Sequence, residues 1–110
     1  MEDTQLMKGI LEGCVLAVIC KEETYGYEIM SQLAEYGFDQ LIEGTLYPVL
    51  TRLQKKGLVN CRMDKSPMGP KRKYFAISDE GREYLRNFIQ QYEAITMKAN
   101  QIFQEIKEDL

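Results

Sequence analysis

The residues of this chain best suited to chemistry are cations, and they crowd into one stretch. Between Gly44 and Lys73 stand Arg52, Lys55, Lys56, Arg62, Lys65, Lys71, Arg72 and Lys73, with Asp64 as the one acid among them. Eight of the 14 Lys and Arg, and one of the 17 Asp and Glu, therefore fall in a segment that carries +7. The chain as a whole carries −3. A cationic segment set against an acidic remainder is the electrostatic footprint of a surface for a polyanion such as nucleic acid. The bland alternative is a solvated basic face with no partner.

The tools of catalysis are scarce. There is no histidine, which removes the commonest general base and the commonest zinc ligand. No pairing of nucleophile with base and no cluster of metal ligands is visible, so neither an enzyme, a cofactor nor a metal is expected. Cys14, Cys20 and Cys61 are odd in number and form no Cys-x-x-Cys pair. They read as free thiols in a reducing cytosol. A redox sensor would need a lowered thiol pKa, for which Cys61 has a basic neighbour in Arg62.

The elements that must position the cations can be read from periodicity. A first helix is expected from about Thr4 to Lys21, with Leu6, Ile10, Leu11, Cys14, Val15, Val18 and Ile19 along one stripe. Leu16 and Ala17 widen that stripe, so the helix should be covered on most sides. After a polar break, Thr24 is a candidate N-cap for a second helix over Tyr25–Tyr36, which Gly37 would end in a left-handed turn. A third helix over Gly44–Lys56 buries Leu46, Val49, Leu50 and Leu53, with Pro48 near its start and Gly57 as its stop. Its outer side then carries Tyr47, Thr51, Gln54 and Lys55, flanked by Pro48 and Arg52, and these groups suit base edges and phosphates. Gly44 keeps the helix start slim enough to approach a backbone.

Two strands follow, Leu58–Lys65 and Lys71–Ser78, joined by a turn at Ser66–Pro70. They form a hairpin with a basic tip, which suits phosphate contact and also serves as a charged edge that resists aggregation. Ser78 caps a last helix that reaches about Lys107, roughly 44 Å long at 1.5 Å per residue. The fold class is thus mainly α with a small β-hairpin: a winged helix-turn-helix over residues 1–78 and a long C-terminal helix over 79–110. In helix-turn-helix proteins the second helix of the motif enters the major groove, here the third of the chain.

The 110 residues suit one domain, and 45% apolar with 28% charged residues is a globular balance. No apolar run approaches the ~20 residues of a membrane span. The first residues carry acids where a signal peptide would carry basic groups, so the expectation is a cytoplasmic protein with no membrane partner.

Four segments together resemble the PadR family of transcriptional regulators. They are Tyr25-Gly26-Tyr27-Glu28-Ile29, the run Gly44-Thr45-Leu46-Tyr47-Pro48-Val49-Leu50 with Arg52-Leu53, Gly57-Leu58-Val59, and Arg72-Lys73-Tyr74-Phe75 with Ile77, Ser78 and Gly81. The resemblance covers nearly the whole chain from Lys8. It implies a homodimeric repressor that binds inverted-repeat operators in double-stranded DNA and releases them when a small molecule binds. It places Tyr25, Thr45, Tyr47, Pro48, Thr51, Arg52 and Lys55 at DNA, with Lys71, Arg72 and Lys73 on the wing. A winged helix used for protein–protein contact alone is the competing expectation, and the basic segment argues against it.

The last helix carries Leu85, Phe88, Ile89, Tyr92, Ile95, Ala99, Ile102, Phe103 and Ile106, many at a spacing of seven. This stripe is longer than a small winged-helix body can cover, so it is the expected dimer interface. Packing within one chain is the alternative. The small multidrug-sensing relatives hold a flat pore between the first and last helices, with a tryptophan stacked on the drug. This chain has no tryptophan. Tyr92 stands at that position, with Ile95 and Thr96 a turn on and Gly9, Glu12 and Gly13 facing from the first helix. Such a pocket would suit a small planar aromatic effector, and Tyr92 as a plain core aromatic is the simpler reading.

Overall fold

The computed structural model describes residues 5–65 and 69–110. The expected start of the first helix at Thr4, and Ser66, Pro67 and Met68 of the expected turn, lie outside the described residues. Helix α1 (Gln5–Lys21) leads through strand β1 (Thr24–Tyr25) into α2 (Gly26–Glu35) and α3 (Glu43–Lys55). Strands β2 (Val59–Lys65) and β3 (Lys71–Ile77) follow, then α4 (Asp79–Ile106) and a final 3₁₀ turn, Lys107–Asp109.

Helix α1 is the centre of the fold because it is apolar on most sides. Leu11, Val15, Leu16 and Ile19 are buried on it, and it packs against α2, α3, α4 and β3. Ile29 and Leu33 of α2, Leu46, Leu50 and Leu53 of α3, and Phe75 of β3 complete the core. The expected helices and strands stand within a residue or so of their sequence boundaries.

The turn after α3 fixes how the helix meets the hairpin. Gly57 has φ +75°, in the left-handed region that favours glycine. Its N–H donates to the Gln54 carbonyl, and the Leu58 N–H donates to the Leu53 carbonyl, each at 3.0 Å. These two bonds make a Schellman stop with both apolar partners, Leu53 and Leu58, buried. The same pair of bonds closes α2 at Gly37, φ +102°. Ser78 then ties α4 to the α3 turn. Its Oγ accepts from the Gly81 N–H at 2.9 Å and donates to the Gly57 carbonyl at 2.6 Å.

Two expectations are corrected here. The hairpin is part of a three-stranded antiparallel sheet, order β1-β3-β2. Thr24 is not the cap of α2. It pairs with Phe75 in β1, Tyr25 takes the N-cap position without a side-chain bond, and the buried Thr24 Oγ1 has no hydrogen-bond partner among the described residues. The physical reason is that the free edge of β3 offers Thr24 and Tyr25 ladder hydrogen bonds, which outcompete a local cap.

Candidate nucleic-acid interface

The outer side of α3 presents Tyr47, Pro48, Thr51, Arg52 and Lys55 together around a shallow depression. Leu46, Val49, Leu50 and Leu53 are buried on the opposite side, so the core anchors one face and leaves the other to solvent. Thr45, Pro48 and Arg52 also border a second depression, of about 420 Å³, against α1. Lys8 lines that depression. It was not singled out in the sequence, because nothing local to Lys8 signals that α1 runs beside the start of α3.

On the sheet, Tyr25, Tyr74 and Arg62 stand in one row across β1, β3 and β2. The Tyr25 and Tyr74 rings meet edge-on at 5.5 Å, Arg72 covers Tyr25 at 4.4 Å, and Arg62 covers Tyr74 at 5.0 Å. Tyr25 is half-buried in this ladder, where it supports Arg72 through cation–π contact. Arg62 Nε and Nη2 each donate to the Glu23 carboxylate at 2.8 Å, and Nη1 donates to Asp64 at 2.6 Å. Those bonds raise the Arg62 pKa further, so the group is a permanently charged clamp between β2 and β1. Lys71, Arg72 and Lys73 are exposed on β3. Among the described residues, the ion pairs engage Arg52, Lys56, Arg62 and Arg86 but none of Lys55, Lys71, Arg72 or Lys73.

Glu12 is corrected. It does not face the groove between α1 and α4. It is buried beneath α3, where Oε2 accepts from Arg52 Nε at 3.0 Å and lies 3.5 Å from Lys56 Nζ, while Oε1 accepts from the Tyr84 hydroxyl at 2.7 Å. Burial pushes the Glu12 carboxyl up. The bonds from Tyr84 and Arg52, with the charges of Lys56 and Arg52, outweigh this and hold it below the ordinary carboxylate value. The bond to Glu12, aided by burial and the carboxylate charge, holds the Tyr84 hydroxyl above its own.

The other residues expected at an effector line the α1–α4 groove. Leu6, Ile10, Gly13, Phe88, Ile89 and Tyr92 border a cavity of about 560 Å³, and Gly9, Tyr92, Ile95 and Thr96 border its neighbour of about 330 Å³. A Cβ at position 13 would collide with the Phe88 ring, so the helices can approach this closely only with glycine there. Thr96 Oγ1 donates to the Tyr92 carbonyl at 2.7 Å. Of the α4 stripe, Leu85 is corrected: it is buried in the chain's own core, because the first turns of α4 pack on α1. Phe88 is half-buried, and Ala99 partly so. Ile89, Tyr92, Ile95, Ile102, Phe103 and Ile106 are exposed.

Cys14, Cys20 and Cys61 are free thiols. Burial pushes the Cys61 thiol up despite the nearby Lys73 charge, the opposite of what an activated thiolate needs. Among the described residues no helix is long and apolar enough to cross a membrane, and no cluster of three or more His, Cys, Asp or Glu could hold a metal ion.

A helix with an anchored inner face and a polar, cationic outer face, followed by a basic wing on the same body, defines a winged helix-turn-helix DNA-binding protein. The chain belongs to the PadR-like family of transcriptional regulators, whose family model matches residues 15–87. It is similar to a Streptococcus transcriptional regulator of known structure, at 46% identity and TM-score 0.81, over 91% of this chain and 98% of that one. A PadR-like transcriptional regulator from Bacillus cereus matches at 42% identity and TM-score 0.81, over 92% and 98%. An uncharacterized protein of Lysinibacillus sphaericus is 31% identical over 94 residues, 84% of this chain and 86% of its own length. The family is one of transcription regulators, not of enzymes.

Proposed function

We propose that this regulator is a homodimeric cytoplasmic repressor that binds an inverted-repeat operator and leaves it when a small planar aromatic compound enters the α1–α4 groove. Residues 1–78 are the reading unit in this account and 79–110 the dimerisation helix. The observation that carries the reading is the apolar stripe of α4, where Ile95 and Ile102 are 63% and 64% exposed in the single chain. Contiguous apolar surface of this kind marks an interaction site, and a second copy of the same helix is the partner whose period matches it.

Two-fold symmetry would place two copies of α3 roughly 34 Å apart, one turn of DNA or a multiple of it. Tyr47, Pro48, Thr51, Arg52, Lys55 and Thr45 would then read the major groove. Tyr25, Lys71, Arg72 and Lys73 would act at the wing through the phosphates. Tyr92 supplies the aromatic face for an effector, flanked by Gly9, Gly13, Ile95 and Thr96. Sedimentation equilibrium on the purified chain, with and without duplex, tests the reading. It predicts a dimer that binds as a dimer, and a monomer at micromolar concentration would refute it.

A further inference from the structure

Glu12 is the one buried acid on a helix otherwise given to the core, its side chain 11% exposed. A buried carboxylate persists only where partners replace its water. Here those partners come from two different helices. Arg52 of α3 and Lys56 at that helix's C-cap reach it from one side and the Tyr84 hydroxyl reaches it from α4, each oxygen having its own partners. Lys56 Nζ also lies 5.3 Å from the centre of the Tyr84 ring, so the α3 and α4 partners touch one another as well.

We propose that Glu12 is a positioning residue that transmits the placement of α4 to the DNA-reading helix, by sharing one carboxylate between Tyr84 and Arg52. The inference rests on the proposed reading role of α3. With Tyr84 in place, Arg52 gives only its Nε–H to Glu12 and its side chain stays 48% exposed. That leaves its two amino groups available for the bidentate recognition of a phosphate or a guanine edge. When α4 shifts and withdraws the Tyr84 hydroxyl, Oε1 is left buried without a donor. The nearest guanidinium that can satisfy both oxygens is Arg52, through a two-pronged pairing that draws it away from DNA. Tyr84 lies one turn before Phe88, which lines the α1–α4 groove, so a molecule that wedges this groove open acts on the same bond.

The test uses the full-length protein and a duplex recovered from a random library by the wild type. Tyr84→Phe removes one hydroxyl and leaves the ring. Affinity should fall roughly 2- to 30-fold, the range of coupling found between distant sites. The slope of log affinity against log salt should shrink by about one phosphate contact. In a Glu12→Gln background, where the carboxylate charge that recruits Arg52 is gone, Tyr84→Phe should change nothing further. Paired with Lys55→Ala, it should simply add. Loss of stability alone would move neither the salt slope nor the coupling with Glu12. Tyr84→Phe protein with wild-type affinity and slope overturns the proposal, as does equal weakening in the Glu12→Gln background. If Arg52→Ala weakens binding while Tyr84→Phe is silent, the reading helix stands and the Glu12 connection falls. A wild type that recovers no duplex removes both.

Discussion

Replacing Ile102 with glutamate would place a charge in the outer half of the α4 stripe, where the chain itself offers no cover. Ile102 is 64% exposed in the single chain, so its change cannot disturb the core formed by α1, α2 and α3. Full burial of an isoleucine stabilises by about 1.5–3 kcal/mol, and the fraction still open to a partner supplies about 1–2 of it. A two-fold dimer contains the position twice, giving about 2–4 kcal/mol before any charge repulsion. At 1.4 kcal/mol per tenfold, the dimer dissociation constant should rise roughly 30- to 700-fold. Sedimentation equilibrium over a concentration series reads this directly, and circular dichroism confirms that the helices remain. An Ile102→Glu chain that dimerises as tightly as wild type would refute the reasoning, since it would mean that the stripe is not the interface.

Further outcomes follow from the same contacts. Arg52→Ala with Lys55→Ala should weaken duplex binding and reduce the salt slope by about two contacts, read by fluorescence anisotropy at several salt concentrations. Gly57→Ala forces a side chain to φ +75° and should destabilise the fold by about 1–2 kcal/mol, seen as a lower urea midpoint. The Glu12 carboxyl is held below its ordinary value, so its bonds contribute fully above the ordinary carboxylate range. That contribution fades as pH falls through the lowered value. Glu12→Gln should therefore flatten the acid limb of the urea midpoint against pH, and an unchanged limb would contradict the assignment.

Much of this arrangement was legible because local signals agreed with the global fold. Leu46, Val49, Leu50 and Leu53 keep helical period and end at Gly57, so α3 and its outer face could be read from the chain alone. Ser78 likewise showed its cap, confirmed by the bond from the Gly81 N–H. Strand β1 was hidden because two residues have no period, and Thr24 before a helix looks like a cap whether or not it becomes one. Arg62 read as one more free cation, since Glu23, its partner, lies 39 residues away. Glu12 was placed at the effector groove for the same reason, its actual partners standing 40 and 72 residues away. Leu85 fits the heptad spacing of α4, yet periodicity says only that a face is buried, not against what. Here the chain's own α1 takes the first turns of the stripe and leaves Ile95, Ile102 and Phe103 exposed.

Hydroxyl-radical footprinting of the wild-type protein on a duplex it selects from a random library tests the central claim most directly. The account predicts two symmetric protected patches whose centres lie roughly 34 Å or a multiple apart, fading steeply as salt rises. A single asymmetric patch would contradict the two-fold reading. No protection at any salt would contradict the assignment of α3 and the wing to DNA.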